Sequence, residues 1–160
     1  MDTDNKNITI RRAIIDDMQE MQALFVDTIR STCQKDYSEE QISVWTSSVE
    51  NQSRWIEKLE SQYFLIAETK GRIVGYASLE NGNYLDFMYV HKDFMRQGIA
   101  INLYKALEKE SKRKGVSTIS SDVSITAKPF FEKIGFISVK ENKNVMKGIE
   151  IINYQMRKDI

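Results

Sequence analysis

The sequence predicts a single α/β domain on a mixed, mostly antiparallel sheet of about seven strands flanked by helices. Three observations support this class. Apolar residues alternate at period two in several short runs, and they recur at helical spacing between those runs. The segments follow in the order one strand, several helices, three strands, a helix, a strand, a helix and two strands. The strand–helix–strand unit over 84–122 favours a parallel pair joined by a right-handed crossover.

The first part of the chain begins with a strand and continues with helices. Alternation in "ITIRRA", residues 8–13, predicts the strand, and we expect Asp16 or Asp17 to cap the next helix. Ser38, with Gln41 three residues later, has the spacing of a capping box and indicates a second helix start. "NQSRWIEKLES" predicts a short third helix.

The middle of the chain predicts a meander followed by a long helix. "YFLIAET" and "RIVGYASLE" flank the turn residues Lys70 and Gly71, which indicates an antiparallel hairpin. "YLDFMYV" adds a third strand after a polar turn. Residues 98–114 then place apolar side chains on one face of a helix, and Gly115 marks its end.

The last part predicts a strand, a helix and a final pair of strands. "VSTISSDV" has strand character, and we expect the helix in "SITAKPFFEKIGF" to be capped by Ser124, which leaves Pro129 slightly late in the first turn. The final strands are expected near 136–141 and 145–156, joined by the polar stretch "NKN".

Composition narrows the function classes. The 23 basic and 23 acidic residues cancel, so the sequence lacks the positive field that nucleic-acid or anionic-membrane partners require. Cys33 is the only cysteine, which excludes an internal disulfide and a cysteine metal cluster and fits a reducing compartment. The chain opens "MDTDNKN" and has no apolar run of about 20 residues. We therefore expect a soluble, cytoplasmic protein, with residues 1–7 disordered.

Gly98 and Ala100 stand where a strand meets the long helix, in "VHKDFMRQGIAINLYKALE". A residue without a side chain leaves the first-turn N–H groups of the helix open to a ligand, and phosphate is their usual occupant. A triphosphate-binding loop needs a Gly-Lys-Ser/Thr run, which is absent here. A dinucleotide fingerprint near the start of the chain is absent as well, so both nucleotide interpretations fail.

The same stretch resembles the acetyl-CoA motif of the GNAT superfamily of N-acetyltransferases, Gln/Arg-x-x-Gly-x-Gly/Ala after a strand that ends in valine. "SITAKPFFEKIGF" resembles the family's second motif, a helix followed by Gly-Phe. Their spacing and the order of strands and helices match that fold over residues 8–157. The resemblance implies one acetyltransferase domain over residues 1–160, with acetyl-CoA as cosubstrate and no metal.

The resemblance also implies a set of cofactor-binding residues. The amides that open the helix would hold the pyrophosphate, and the pantetheine arm would lie between the two splayed parallel strands. The implied residues are Met88, Tyr89, Val90, Met95, Arg96, Gln97, Gly98, Ile99, Ala100, Ser124, Ala127, Phe130 and Phe131. Two of them depart from the family pattern. Met95 stands where Gln or Arg is usual, and Phe131 replaces a tyrosine that protonates the leaving thiolate.

An alkyl ammonium with a pKa of about 10 must lose its proton before it attacks a thioester, so the site needs a base. Asp86 is a charged residue inside the otherwise apolar "YLDFMYV", a placement that is costly unless the residue is partnered or catalytic. Asp122, at the end of the next strand, is the second candidate. A salt bridge or a cap explains each of them equally well. Tyr154 in the last strand is the candidate to replace the missing tyrosine.

In the family, the helices after the first strand cover the acceptor side. Here that side includes Tyr37 and Trp45, which are expected to bind the substrate, with Glu39 and Glu40 nearby. Core packing is the alternative for Trp45, and a solvated helix start is the alternative for the two glutamates. His91 is expected at the surface. Cys33 is expected in helix packing rather than as a nucleophile.

Two functions remain open. The first is an N-acetyltransferase in which a small-molecule or peptide amine attacks acetyl-CoA directly in a ternary complex. The second is a non-catalytic acyl-CoA-binding regulatory module, which Phe131 favours because it has no proton to give. A pure interaction domain would need no phosphate cradle. No nucleic-acid or membrane partner is expected, and a homodimer is left open.

Overall fold

The computed structural model describes residues 7–160, so the disorder expected for residues 1–7 lies, apart from Asn7, outside the described residues. The strands are β1 (Thr9–Arg12), β2 (Tyr63–Thr69), β3 (Arg72–Glu80), β4 (Tyr84–Val90), β5 (Thr118–Ser124), β6 (Ile137–Met146) and β7 (Ile149–Asp159). The helices are α1 (Met18–Thr32), α2 (Glu39–Thr46), α3 (Gln52–Ser61), α4 (Ile99–Arg113) and α5 (Lys128–Lys133). The predicted α/β fold and its order of elements are confirmed. Within this range no helix has the length and apolar character needed to cross a membrane.

The strands form one mixed sheet in the order β1-β2-β3-β4-β5-β7-β6. Every neighbouring pair is antiparallel except β4 and β5, which are parallel as predicted. Their pairing covers only Tyr84 with Ser120 and Leu85 with Ser121. Beyond Leu85 the two strands separate and leave a gap in the middle of the sheet.

A bulge in β4 lies at the point where this gap begins. On β3, Ala77 pairs with Met88 and Leu79 pairs with Leu85, so β4 spans three residue steps where β3 spans two. An extra residue of this kind bends its strand and re-aims the following side chains. The bulge therefore accompanies the separation of β4 from β5.

Both faces of the sheet are covered, and each cover forms its own core. On one face, α4 packs with Leu103 and Leu107 fully buried, together with Phe131 from α5. On the other face, α1 and α3 contribute Phe25 and Trp55, whose rings meet edge to face at 5.3 Å. The amphipathic stripes predicted for these helices face these two cores.

Helix α5 begins later than expected. It starts at Lys128 and not next to Ser124, whose Oγ accepts a hydrogen bond from the Ala127 N–H at 3.0 Å and so caps the turn before the helix. Pro129 therefore lies in the first turn, where its missing N–H removes no intrahelical bond. The helix accommodates Pro129 for that reason, and the proline is not late in the first turn as expected.

The predicted connection between the last two strands is wrong. "NKN", residues 142–144, lies inside β6, and the turn is formed by Lys147 and Gly148 with φ of +49° and +78°. Lys70 and Gly71 form the first hairpin turn with nearly the same φ values, +52° and +71°. The asparagines are accommodated in the strand because Asn142 and Asn144 both donate to Asn153 Oδ1 on β7, at 2.9 and 3.0 Å.

Asp17 directly precedes α1, but its carboxylate does not cap that helix. It accepts two hydrogen bonds from the Arg11 guanidinium, both at 2.8 Å, and one from the Ile14 N–H at 2.8 Å. These contacts tie β1 to the start of the helical segment. The hydrogen bonds from Arg11 hold the pKa of Asp17 below its ordinary value.

We expect Asp17→Asn to lower the free energy of unfolding at pH 7 by about 1 kcal/mol, a small value because Arg11 is 34% exposed. A carboxylate with a lowered folded-state pKa contributes stability above its unfolded-state pKa of about 3.9, and loses it as the pH falls further. Urea unfolding at pH 7 and at pH 3 measures this difference. Asp16→Asn is the matched control, and an equal loss in both variants at pH 7 would contradict the assignment.

Candidate functional site

The gap between β4 and β5 opens into a cavity of about 2080 Å³. One part, which we call the α4 end, is bounded by residues from 95–101 and by α5. The other part, which we call the α3 end, is bounded by α3, the preceding turn at Ser47–Glu50 and the β6–β7 hairpin tip at 143–147. Lys147 Nζ donates to Ser47 Oγ at 2.9 Å and holds the hairpin tip against that turn.

The start of α4 exposes backbone to the cavity. Gly98 is the N-cap, with φ of +80°, and a Cβ placed there meets nothing closer than Ile101 Cγ2 at 3.9 Å. The first amide bonded within this helix is that of Asn102, which donates to the Gly98 carbonyl at 3.0 Å. The preceding N–H groups of the first turn are free of intrahelical bonds. They form, with the positive end of the helix dipole, a site suited to an anion.

The free edge of β4 forms the wall next to this helix start. Met88, Tyr89 and Val90 pair with β3 on one side and have no neighbouring strand on the other, because β5 pairs only as far as Leu85. The Val90 carbonyl accepts a hydrogen bond from Thr28 Oγ1 at 3.2 Å. An unpaired strand edge offers backbone donors and acceptors to an extended ligand.

Almost all residues implied in cofactor binding lie at this cavity. The lining includes Met88, Tyr89, Val90, Met95, Arg96, Gly98, Ile99, Ala100, Ser124, Ala127, Phe130 and Phe131. Gln97 is the exception. Its Oε1 is buried and has no hydrogen-bond partner among the described residues.

Asp86 lies in the cavity wall and forms a salt bridge, which was the alternative to a catalytic role. Its Oδ2 accepts hydrogen bonds from Lys58 Nζ at 2.9 Å and from Gln62 Nε2 at 2.8 Å. The side chain is 17% exposed, and Oδ1 accepts no hydrogen bond from residues 7–160. The ion pair explains how the strand tolerates this charge, while the second oxygen is left available.

Asp122 lies across the gap and bonds to neutral groups only. Tyr84 donates its hydroxyl proton to Asp122 Oδ2 at 2.6 Å, and Asn142 Nδ2 donates to Oδ1 at 2.8 Å. Burial, followed by the hydrogen bond to Asp122, raises the pKa of Tyr84, and the charge of Asp86 adds to this effect. Both candidate carboxylates therefore lie around Tyr84 at the base of the gap.

Tyr37 and Trp45 both line the cavity, and their rings meet at 5.3 Å. The Tyr37 hydroxyl donates to the Ile152 carbonyl at 2.6 Å and accepts from the Ile125 N–H at 2.9 Å. Burial raises the pKa of Tyr37 to about 12, so it remains a neutral hydrogen-bonding group. Tyr37 thereby fixes the wall of the α3 end to β7 and to the end of β5.

The neighbouring glutamates and one tyrosine are placed elsewhere. Glu39 and Glu40 form the exposed first turn of α2 and are not part of the cavity lining. Tyr154 is not part of the lining either, and its ring lies 4.2 Å from Lys128 Nζ. The structure therefore does not bring Tyr154 together with Asp86 and Asp122.

The remaining candidates have local roles. His91 Nδ1 accepts the Asp93 N–H at 3.1 Å and caps a short turn outside the lining. Cys33 is buried at the cavity wall, and burial raises the pKa of its thiol. Phe131 is 3% exposed and packs in the core beside Phe136. In the described part of the chain, no group of three or more His, Cys, Asp or Glu residues is arranged to hold a metal ion.

Sequence reasoning missed the cationic residues of the α3 end. Arg54 and Lys58 lie one turn apart on α3, and Lys143 and Lys147 come from the hairpin tip. The signal for the first pair was present, because residues four apart share a helix face. The second pair was hidden by the wrong turn assignment, which placed Lys143 in a loop.

A split sheet with free helix amides beside an unpaired strand edge is an arrangement suited to a phosphorylated ligand with an extended arm. Comparisons with known proteins make this class specific. The family model described as an acetyltransferase (GNAT) domain matches residues 33–158. The uncharacterised N-acetyltransferase YafP of Escherichia coli K12 is 36% identical over 151 residues, which cover 94% of this chain and 95% of that protein. The chain belongs to the GNAT acetyltransferase family.

Solved structures agree with this assignment. A GCN5-related N-acetyltransferase from Rhodopseudomonas palustris is 32% identical, with a TM-score of 0.92 and 95% of each chain covered. The PaiA N-acetyltransferase of Thermoplasma acidophilum, solved in complex with coenzyme A, has a TM-score of 0.78 at 21% identity, with 96% of this chain and 99% of that chain covered. The second likeness shows the fold. The resemblance inferred from the two sequence motifs is confirmed, and the protein is an acyltransferase.

Proposed function

We propose that the protein transfers an acetyl group from acetyl-CoA to a primary amine by direct attack in a ternary complex. One observation carries the proposal. The free amides of α4, the unpaired edge of β4 and the carboxylates of Asp86 and Asp122 all border the same cavity. An anion site, a strand-like groove and a base are the three features that this reaction requires.

The residues at the α4 end fit acetyl-CoA. The amides of Ile99, Ala100 and Ile101 are free to bind the pyrophosphate, and Gly98 has no side chain in the way. Arg96 lines the same end and adds a positive charge. The backbone edge of Met88, Tyr89 and Val90 is free to bind the pantetheine arm. When bound, acetyl-CoA supplies an activated acetyl group as a thioester.

The carboxylates at the gap handle the proton of the amine. Asp86 Oδ1 accepts a proton from the substrate ammonium, and Asp122 offers a second acceptor across the gap. The neutral amine then forms one N–C bond and one C–S bond breaks, the sulfur leaves with the electron pair of that bond, and the nitrogen gives up its second proton to water. Phe131 cannot protonate the sulfur, but a thiol with a pKa of about 8.5 leaves as a thiolate and takes its proton from water.

We further propose that all of residues 1–160 form one acetyltransferase domain that works in the cytoplasm. The single cysteine, Cys33, is unpaired, and such usage fits a reducing compartment. The amine substrate is the partner that this function requires. The balanced charge favours neither nucleic acid nor membrane as a further partner.

A thiol-release assay tests the function. The protein is incubated with acetyl-CoA and panels of polyamines, aminoglycosides, amino acids and peptides, and free CoA thiol is followed with time. We expect binding of acetyl-CoA and a faster thiol release with at least one amine class than without amine. Tight binding with no acceleration by any amine would contradict the proposal and favour the non-catalytic acyl-CoA-binding module.

A further inference from the structure

Charges of both signs line the α3 end. Asp86 and Asp122 lie at the base of the gap, next to the β4 edge. The cations come from α3, where Lys58 contacts Asp86, and from the hairpin tip, where Lys147 lies near Glu50. Because the acetyl group is expected along the β4 edge, the amine of the acceptor must approach the carboxylates. The rest of the acceptor then extends towards the cations.

The partners of these charges show which of them are available. Lys58 forms an ion pair with Asp86 at 2.9 Å. Lys147 donates a hydrogen bond to Ser47 and lies 3.9 Å from Glu50. Lys143 and Arg54 make no ion pair with any residue of the described part of the chain, and of these two only Arg54 is on α3, the helix that carries the partner of Asp86. Arg54 lines the cavity and is exposed, so it keeps its five N–H donors for a ligand.

Arg54 lies on the same side of α3 as the partner of Asp86. Arg54 and Lys58 are separated by one turn of α3, and Lys58 contacts Asp86. Side chains four residues apart share one face of a helix. Arg54 therefore borders the same cavity as Asp86, from the helix that carries the ion-pair partner of that carboxylate. A planar guanidinium binds a carboxylate through two parallel hydrogen bonds.

We propose that the acceptor is a free amino acid, with its ammonium at Asp86 and Asp122 and its carboxylate at Arg54. This inference rests on the proposed function and names the substrate class of the same site. A polyamine has no group for Arg54 and would be repelled by it. Glu39 and Glu40, which were expected near the substrate residues Tyr37 and Trp45, are outside the lining and add no negative charge to the cavity wall.

The test compares each of the common L-amino acids with its carboxamide and with its decarboxylated amine in the thiol-release assay. The carboxamide has a less basic amine than the acid, and the decarboxylated compound has a more basic one. A preference for the acid over both therefore cannot come from the pKa of the amine. We expect the best acid to exceed both analogues at least tenfold in kcat/KM.

Arg54→Gln is expected to remove most of this preference and to leave acetyl-CoA binding unchanged. Arg30→Gln is the matched control, since Arg30 is an exposed helical arginine outside the cavity lining, and it should keep the preference. Faster reaction of the carboxamide or the decarboxylated amine, or an unchanged preference in Arg54→Gln, overturns the amino-acid inference alone. Binding of acetyl-CoA without amine-dependent thiol release overturns the proposed function, and the inference with it.

Discussion

The Gly98→Val variant is expected to lose acetyl-CoA binding by at least a hundredfold. The added side chain would stand at the N-cap of α4, where the free amides are proposed to hold the pyrophosphate. The protein itself leaves room there, since a Cβ meets only Ile101 Cγ2 at 3.9 Å. The steric conflict is therefore with the ligand. Isothermal titration calorimetry with acetyl-CoA measures the effect.

Backbone strain must be separated from blocked binding, because Gly98 has φ of +80° and valine is disfavoured there by roughly 1–2 kcal/mol. Gly115→Val is the matched control. Gly115 follows the other end of the same helix, has φ of +76° and has open space around its Cβ position. We expect the two variants to lose similar thermal stability and only Gly98→Val to lose binding. Unchanged affinity in Gly98→Val would place the phosphate site elsewhere.

Asp86→Asn is expected to lower kcat by a factor of about 10² or more while acetyl-CoA affinity is kept, since a positioned base contributes 10²–10⁴. Without the base, the attack depends on amine that is already neutral in solution. The rate of the variant should therefore keep rising towards the amine pKa of about 10, and its pH optimum should move upward. Steady-state kinetics between pH 6 and about pH 10 measure both effects.

The ion pair with Lys58 requires its own control, because Asp86→Asn also leaves that ammonium without its partner. Lys58→Met removes the ammonium and keeps both the carboxylate and much of the aliphatic side chain. If Asp86 is the base, Lys58→Met should retain kcat within about tenfold and keep the normal pH profile. Equal losses in the two variants, with unchanged pH profiles, would reduce Asp86 to a structural partner of Lys58.

The fold was readable from the sequence because its signals are local. Period-two runs marked the strands, and Lys70 with Gly71 marked the first hairpin turn. The same Lys-Gly pair recurs at Lys147 and Gly148, where it forms the same kind of turn. The polarity of "NKN" favoured a turn at residues 142–144 instead. Polarity is a poor turn signal on an exposed edge strand such as β6, whose side chains meet water along nearly its whole length.

The candidate site was readable in part. The anion site at the start of α4 is formed by a strand, a glycine and a helix that follow one another in the chain, so a local sequence pattern is enough to predict it. The partner of Asp86 is 28 residues away on α3, and no local pattern identifies such a contact. Arg54 was missed for the same reason, because its relation to the gap arises only when α3 packs over the sheet.

The two residue pairs that join β4 to β5 make the centre of the sheet a seam. Strands β1–β4 and β5–β7 are each continuous ladders, and few main-chain bonds connect one half with the other. A coenzyme arm bound between β4 and β5 would contact both halves of the sheet, so that the two halves would unfold as one cooperative unit. Hydrogen exchange should then slow on both sides of the seam together when acetyl-CoA is present, including at strands that never touch it.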